Sequence, residues 1–517
     1  HNRCFLNFHL DPVNRSTFDL FSRKLFIVHW LFISSAALSL FLPTSALFHG
    51  IVDHGHWNNL RGFTHNASYN ASQAKKASLP LVIDTFKNST RNDLGFWHGS
   101  GENLPVQYGP GFIRLFPTDP DQNFHTQFDS QTCYNLIPWY NEYLHVIFEG
   151  TDQYSISFNQ HNDECNPQRR PFPGIADSVQ AERYVVHPAS EAFGKDNNWD
   201  DDDDDDWDDD DSVDADAGRK KHKHGRSKGG RRKHPQGHTR IPSGRRELYI
   251  PLTHFDIDFN RVVSVSFHGF YTKEPITLHH VEIVPDIPMP SEENGYYRLP
   301  GKLPNGRLVL RCSRPNSFAF GIDDGQPQFA QRVMRILDEE DVRVTFFVVG
   351  AGLTDRSSNF TEFYKEMLKK GHQVALHSNT HPKMESLPTL RDIDEEIIQS
   401  MQIFRDQLGI QSSYFRPPFG TVAARLRQEL ARHIPNPYIV NWSVDIEDWL
   451  WANTSTPEKQ LEAFFRGVGK GGNLAVMHYL NPTTIGYLPE FIRHIKGAGY
   501  HIMRIDQCLE DVSAPPL

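Results

Sequence analysis

The chain has 517 residues, of which 38% are hydrophobic and 23% are charged, and its formal net charge is -11. This length suffices for two or three domains with well-formed cores, and the composition is typical of a soluble globular protein. The acidic balance excludes a global electrostatic attraction to nucleic acid, so no nucleic-acid partner is expected.

The N-terminal region, residues 1–46, contains a mostly apolar run of 18 residues (25–42) that follows Arg23 and Lys24. The run is long for a signal-peptide core and just long enough to span a membrane, and small residues follow it as at a cleavage site. A cleaved signal peptide is favoured, and an uncleaved membrane anchor is the alternative. Either way we expect export: a secreted, extracellular or cell-wall protein, or one anchored in the secretory pathway.

Cysteine usage agrees with export. The cysteines after the hydrophobic run are Cys133, Cys165, Cys312 and Cys508. An even, sparse set predicts two disulfides, and buried free thiols are the alternative. Pairing Cys133 with Cys165 and Cys312 with Cys508 keeps each bridge within one expected domain. Asn-x-Ser/Thr sequons, such as that at Asn88, permit glycosylation.

Residues 47–76 are polar and predict a linker, and residues 77–290 read as short strand-like runs between turns. Runs such as YLHVIFEG and VVSVSFHGF predict an all-β sandwich domain. An insertion, residues 194–246, interrupts it with fourteen aspartates in 196–216 and twelve Lys or Arg in 219–246. Neither half can bury a core, so we expect a disordered, solvated loop, with a tether to charged wall polymer as the alternative.

From residue 300 to 512 the pattern changes. Apolar strand-like runs alternate with amphipathic helical stretches, beginning with SFAFGI and FAQRVMRILDEE. Repeated βα units predict an α/β fold with a parallel sheet, either open or closed into a barrel. In such folds the catalytic groups collect at the carboxyl ends of the strands.

Five short motifs follow strand-like runs in this region. They are GIDDG (Asp323, Asp324), HSNTH (His377, His381), RPPFG (Arg416, Phe419), DIEDW (Asp445, Trp449) and LAVMH (Met477, His478). Each alone is weak, because paired aspartates usually cap helices and a tryptophan usually packs in a core. Five in order, each after a predicted strand, indicate one site.

A carboxylate with two imidazoles makes a three-ligand metal site with open positions. His377 and His381 are four residues apart, so both would face one ion from a helical turn. Nitrogen and oxygen donors suit zinc, with cobalt or iron as alternatives. The ion relieves the repulsion within the aspartate pair, so the second aspartate stays ionised as a base.

The other motifs supply the remaining groups for metal-assisted hydrolysis of a carbonyl compound. Arg416 is expected to hold the base in a bidentate ion pair, and His478 to act as the acid beside Asp445. The N–H of Phe419, after a rigid Pro-Pro turn, is a candidate oxyanion donor. Trp449 and Met477 are candidates for an apolar wall against an acyl methyl.

In this order the motifs resemble the polysaccharide deacetylase (NodB homology) domain of carbohydrate esterase family four, over residues 308–509. The resemblance implies a distorted (β/α) barrel that removes N- or O-acetyl groups from sugar polymers. It implies Asp323 as the base and Asp324, His377 and His381 as ligands of a divalent metal. It also implies these roles: Arg416 orients the base, Asp445 partners the acid His478, Phe419 lines the oxyanion hole, and Cys312 with Cys508 staples the domain.

The family's first motif usually reads TFDDG, whereas this chain has Gly321 and Ile322 before its aspartates. The leading hypothesis is a secreted, monomeric, metal-dependent deacetylase of an N-acetylated cell-wall polysaccharide, most simply chitin. The alternatives are an O-acetyl esterase on another glycan, a non-haem iron oxygenase, and a non-catalytic wall-binding protein with an inert barrel. The β domain is expected to bind carbohydrate or to act as a spacer.

Overall fold

A computed structural model describes residues 79–129, 132–171, 174–186, 244–287 and 299–517. The expected signal or anchor, the linker and most of the charged insertion lie outside the described residues. Within the described ranges, no helix combines the length and the apolar character that a membrane crossing requires.

The first part of the described chain consists of antiparallel strands. These are β1 (Leu81–Asp84), β2 (His98–Gly101), β3 (Val106–Gly109), β4 (Phe112–Leu115), β5 (Asn123–Gln127), β6 (Tyr143–Gly150), β7 (Ser155–Gln160), β8 (Gly174–Gln180), β9 (Arg246–Pro251), β10 (Val262–His268) and β11 (Ile276–Val284). One sheet has the order β3-β4-β11-β6-β9, with β1 beside β11, and the other has the order β2-β5-β10-β7-β8. Apolar side chains of both sheets, Phe148 and Phe267 among them, share one buried cluster, because alternate residues of a strand face the same side.

The second part alternates strands with helices. Its strands are β12 (Arg307–Val309), β13 (Ser317–Asp323), β14 (Thr345–Val348), β15 (Gln373–Leu376), β16 (Tyr414–Phe415), β17 (Tyr438–Val440), β18 (Val444–Asp445), β19 (Leu474–His478) and β20 (His501–Ile502). Its helices are α1 (Pro327–Glu339), α2 (Gly350–Thr354), α3 (Phe360–Lys369), α4 (Leu390–Ile403), α5 (Ala424–His433), α6 (Asp448–Trp451), α7 (Lys459–Gly469), α8 (Pro482–Gly497) and α9 (Ile505–Cys508).

The α/β class is confirmed by this second part. Its strands pair in parallel in the order β12-β17-β16-β15-β14-β13-β19-β18, with β20 beside β13. In this order β12 and β18 are the two edges, so the sheet is open between them and is not a closed barrel. All seven residues of β13 are buried, which fits a central parallel strand covered on both faces.

Both predicted disulfides are present. Cys133 is bonded to Cys165 and Cys312 to Cys508, and the second bridge joins the segment before β13 to the last residue of α9. It therefore closes the second part of the chain between its beginning and its end.

Helix α5 packs against the five-stranded sheet through buried polar groups. The guanidinium of Arg427 lies 3.2 Å from the carboxylate of Asp177 on β8, and both side chains are buried. The N–H of Ala424 donates to Oγ of Ser155 on β7 at 3.2 Å. A buried charge needs a partner, so these contacts fix how the two parts meet.

Candidate active site

The motif residues meet at the carboxyl edge of the parallel sheet. Asp323 ends β13 and lies in register with His478, which ends β19. Leu376, the last residue of β15, pairs with Phe415 of β16, so His377 and Arg416 follow side by side. The chemistry is thus collected where parallel strands end.

Asp324, His377 and His381 form a group that fits a metal ion. Oδ1 of Asp324 lies 3.7 Å from Nε2 of His377 and 3.6 Å from Nε2 of His381, and all donor atoms fall within 4.8 Å of one another. Donors around a tetrahedral zinc, with bonds near 2.0–2.1 Å, lie about 3.3 Å apart. Two imidazoles and a carboxylate are ligands that zinc accepts.

The imidazole of His377 is prepared for this role. Its Nδ1 lies 2.6 Å from the carbonyl oxygen of Arg416, so that nitrogen carries the proton and Nε2 keeps its lone pair for a metal. Burial lowers the pKa of His377 to about 3, and the imidazole is therefore neutral, as a ligand must be.

The turn that carries His381 is not the helical turn predicted from the four-residue spacing. It is a loop in which His381 has a φ of 63° and donates its N–H to Oγ of Ser378 at 2.9 Å. Glu396 of α4 accepts the N–H groups of Asn379 and Thr380 at 2.9 and 2.8 Å. Sequence reasoning missed Glu396, because nothing local links it to the HSNTH motif.

Several loops at this edge of the sheet contain left-handed backbone. Asp324, His381, Phe419 and Glu447 have φ values of 53°, 63°, 62° and 56°. Such conformations cost about 1–3 kcal/mol each for residues other than glycine and persist where the surroundings enforce them. Their clustering supports a functional role for these loops.

The described residues hold a second group with ligand-like spacing, formed by Asp394, Glu429 and His433. Here, however, Arg432 donates to Glu429 at 2.6 Å and lies 3.4 Å from Asp394. The arginine supplies the positive charge that a cation would bring, so we interpret this group as an ion-pair network.

Asp323 and Arg416 form a buried ion pair. Nη1 of Arg416 donates to Oδ1 of Asp323 at 2.6 Å, and neither side chain is exposed by more than 3%. The expected bidentate contact is not found, because Nε and Nη2 donate instead to the carbonyls of Val440 and Asn441 at 3.0 and 3.3 Å. Burial raises the pKa of Asp323 to about 6, against the opposing effect of Arg416.

The carboxylate that contacts His478 belongs to Asp448, and this corrects the expectation for Asp445. The N–H of His478 donates to Oδ2 of Asp448 at 2.6 Å, and Nδ1 of His478 lies 2.9 Å from Oδ1. Burial lowers the pKa of His478, but Asp448, together with Asp323 and Asp324, outweighs it and raises the pKa to about 10. The imidazole is therefore held in its protonated form.

The register of the sheet explains the correction. Asp445 on β18 pairs with Val476 on β19, which is two residues before His478. Asp445 instead accepts the N–H of Glu447 at 2.7 Å, in the left-handed turn that leads into α6. Asp448, the first residue of α6, is consequently the carboxylate at the level of His478.

The predicted apolar wall is only partly where it was expected. Trp449 is 70% exposed beside the site, but Met477 is fully buried in the hydrophobic core. Adjacent strand residues face opposite sides, so Met477 and His478 cannot line the same cavity. Val476 shares the face of His478, and the period of two along LAVMH was the signal that could have identified it.

Phe419 follows the Pro-Pro turn as expected. Its ring is 60% exposed and lies 4.8 Å from the ring of His381, between centroids. Lys383, which sequence reasoning missed, has its Nζ 5.7 Å from the centre of the Phe419 ring. The same Nζ donates to Asp119 at 2.8 Å and to Asp121 at 2.7 Å, so the β part of the chain reaches the edge of the site.

Comparisons with known proteins find relatives of one part of this chain. Residues 311–434 match the family model of polysaccharide deacetylases. The peptidoglycan-N-acetylglucosamine deacetylase PgdA of Listeria monocytogenes is 30% identical over 200 residues, which cover 38% of this chain and 40% of the relative. A chitin deacetylase of Pestalotiopsis sp is 26% identical over 213 residues, covering 41% of this chain and 70% of the relative.

Among solved structures, the chitin deacetylase of Colletotrichum lindemuthianum is 25% identical, with a TM-score of 0.38, and covers 41% of this chain and 95% of that one. This chain spans two fifths of the length of the Listeria protein. Residues 311–434, which match the family model, contain the metal-type group, the Asp323–Arg416 pair and Phe419. The ordered motifs, their meeting at one sheet edge and the family match lead to one conclusion: the chain contains a domain of the polysaccharide deacetylase family, a family of hydrolases.

Proposed function

We propose that the protein is a metal-dependent deacetylase that hydrolyses N-acetyl groups of a cell-wall polysaccharide, most simply chitin. The observation that carries the proposal is the metal-type group of Asp324, His377 and His381 beside the buried base Asp323 and the protonated His478. Relatives named as chitin and peptidoglycan deacetylases support an N-acetylated amino-sugar polymer as the substrate.

The roles of the residues follow from their contacts. A divalent metal, most simply zinc or else cobalt, held by Asp324, His377 and His381, would polarise the acetyl carbonyl and lower the pKa of water. Asp323, oriented by Arg416, takes a proton from the attacking water. The backbone N–H of Phe419 stabilises the developing oxyanion.

The acid completes the reaction. As the carbon–nitrogen bond breaks, His478 gives a proton to the leaving amine, and acetate leaves as the second product. Asp448 orients the imidazole through Nδ1 and stabilises its charged form. In this assignment Asp445 supports the turn before α6 and does not contact the acid.

We further propose residues 300–512 as the deacetylase domain and residues 77–290 as a β-sandwich domain. The two antiparallel sheets with a common core support the sandwich. The two disulfides support a secreted or cell-wall location, because such bridges persist in oxidising compartments. We propose that the protein acts as a monomer.

Acetate release from N-acetylglucosamine oligomers tests the function. The wild type, Asp323→Asn and a chelated sample re-supplied with zinc or cobalt are compared. We expect the wild type to release acetate and Asp323→Asn to release none. Chelation should abolish the wild-type activity, and zinc or cobalt should restore it. Release from acetylated xylan alone would identify an O-acetyl esterase, and no release from any acetylated glycan by metal-loaded protein would overturn the proposal.

A further inference from the structure

One face of the five-stranded sheet is polar and yet buried. Ser264, Ser266 and His268 alternate along β10 with core residues, and they are 2%, 5% and 3% exposed. In the register of the sheet, Ser264 lies between Gln127 of β5 and Asn159 of β7. We call these residues, with His125, the polar sheet face. Polar rows of this kind normally face water, so something covers them here.

The cover is the deacetylase part of the chain, and it leaves a space. A cleft of about 740 Å³ lies between the polar sheet face and the segments that follow β16 and β17. Gly420, Thr421, Asn441 and Trp442 contribute to its opposite wall. The volume falls in the range of about 300–1,000 Å³ that ligand-binding clefts occupy.

The cleft wall carries buried polar atoms that no described residue satisfies. Nε2 of His268 and Oγ1 of Thr421, on residues only 3% and 4% exposed, have no hydrogen-bond partner, and neither has Oδ1 of Asn441. These atoms lie behind the cleft surface, and the polar side chains that a ligand in the cleft would meet are the more accessible ones of Asn123, His125 and Gln127. Burial lowers the pKa of His268 to about 4, and its imidazole is therefore a neutral donor and acceptor.

The lining selects the chemical class of that occupant. Amides, hydroxyls and imidazoles predominate on the polar sheet face, and charged groups of both signs, such as Glu102 and Arg170, lie around it. Such groups both donate and accept hydrogen bonds, as the hydroxyls and acetamides of a neutral sugar chain require. An anionic or cationic ligand would find no matching excess of charge.

The cleft also adjoins the candidate active site. Gly420, which follows the expected oxyanion donor Phe419, and Asp445 both line it. The ring of Trp442 in its wall is centred 5.8 Å from the guanidinium carbon of Arg416, which holds Asp323. A chain bound in the cleft would thus lie next to the residue that orients the base.

We propose that this cleft is a second binding site for a neutral oligosaccharide segment of the polymer whose N-acetyl group is hydrolysed at Asp323. The inference rests on the proposed deacetylase function for the identity of the sugar. The β part of the chain then selects long substrates, because only a polymer reaches both the catalytic residues and the polar sheet face.

The test compares binding of the hexamer and the dimer of N-acetylglucosamine by calorimetry, in the metal-loaded full chain carrying Asp323→Asn to prevent turnover. Gln127→Trp fills the cleft, and Gln127→Ala is a milder variant that keeps the fold if tryptophan is not accommodated. Gln107→Trp, at an exposed position of the six-stranded sheet, is the matched control. We expect Gln127→Trp to weaken hexamer binding about tenfold, or 1.4 kcal/mol, and Gln107→Trp to leave it unchanged.

Hydrogen–deuterium exchange supplies an independent readout. The hexamer should protect residues 123–127 and 262–268, and the dimer should not. The proposal is overturned if both Gln127 variants bind the hexamer as tightly as the parent and the hexamer protects neither segment from exchange. The cleft would then be a water-filled gap, whether or not the wild type releases acetate. If hexamer binding depends on Gln127 but no glycan releases acetate, the cleft is supported as a binding site and the deacetylase function is refuted instead.

Discussion

The guanidinium of Arg416 occupies the space that a side chain at Gly321 would need. A Cβ added to Gly321 would lie 2.3 Å from Nη1 and 2.6 Å from Cζ of Arg416. Arg416 cannot move aside cheaply, because it is fully buried and donates to Asp323 and to the carbonyl of Val440. Glycine at position 321, where the family's usual TFDDG has threonine, therefore leaves the space that the Arg416 guanidinium occupies.

Gly321→Ala should displace Arg416 from Asp323. We expect kcat for acetate release to fall at least about tenfold and the free energy of unfolding to fall by about 1–3 kcal/mol, as for an overpacked core. Gly321→Thr introduces the residue that the family usually has, and in this chain it should lower kcat and the free energy of unfolding more than Gly321→Ala does. Gly497→Ala is the control, since an added Cβ there meets nothing within 4 Å. Full activity in Gly321→Ala would contradict the steric argument.

Asp448→Asn and Asp445→Asn separate the two carboxylates near His478. Asp448 contacts His478 directly, so its amide variant should lower kcat about a hundredfold, within the usual range for acid–base groups. Loss of this carboxylate also lowers the pKa of His478, so the alkaline limb of the pH–rate profile should move to lower pH. Asp445→Asn should lower kcat less and leave the alkaline limb of the profile at the same pH. Equal losses and equal profiles would restore the assignment of Asp445.

The two disulfides should differ in their contribution to stability. Cys312 and Cys508 are 196 residues apart, whereas Cys133 and Cys165 are 32 apart. Because closing a longer loop restricts the unfolded chain more, replacing Cys312 and Cys508 by serine should lower the free energy of unfolding by about 1–2 kcal/mol more than replacing Cys133 and Cys165. Urea midpoints of the two double-serine variants measure the difference. A larger loss for the Cys133–Cys165 pair would show that loop length does not dominate.

Glu385 should make stability depend on pH. Its Oε1 accepts the N–H groups of Ala423 and Leu426 at 2.6 and 3.1 Å, where α5 begins. Burial raises its pKa from 4.5 to about 6. Between these values the folded protein holds a proton that the unfolded chain has lost, so the contribution of Glu385 to stability falls as pH rises from about 4.5 to 6.

The variant Glu385→Gln keeps an oxygen acceptor and cannot ionise. Relative to the wild type, it should gain up to about 2 kcal/mol in free energy of unfolding between pH 4.5 and pH 7. Urea titrations at the two pH values measure this change. Glu490→Gln, at an exposed position of α8, is the matched control. A constant difference between Glu385→Gln and wild type across this range would refute the raised pKa.

The strand-end motifs predicted which side chains meet at the carboxyl edge of the sheet. Asp323, His377 and His478 end or follow strands that the apolar pattern reveals, and parallel strands end at one edge. Asp448 could not be chosen over Asp445 in this way, because the choice depends on the register of β18 with β19 and on the turn at Glu447. Met477, by contrast, could have been excluded from the cavity wall on the sequence alone, because it directly precedes His478 in a strand and so faces the other side.

Long-range contacts account for what the sequence pattern did not reveal. Lys383 and Asp119 are 264 residues apart, and their contact depends on how the two parts of the chain meet. Arg425, Arg427 and Gln428 give α5 a polar surface, which predicts exposure, but all three are buried. Whether β12 and β18 close a barrel is likewise set by strand placement, which local periodicity does not encode.

The Arg427–Asp177 contact limits how this chain can be divided or recombined. If residues 300–512 were expressed alone, the guanidinium of Arg427 would lose Asp177 as its partner. The polar groups of α5 that are now buried against the β part would be exposed to water. A chimera that joins the deacetylase region to a different binding module would need a carboxylate at the place of Asp177, or an apolar residue at position 427. An unrelated domain in the place of the β part is therefore expected to destabilise the chain unless it matches the buried guanidinium of Arg427.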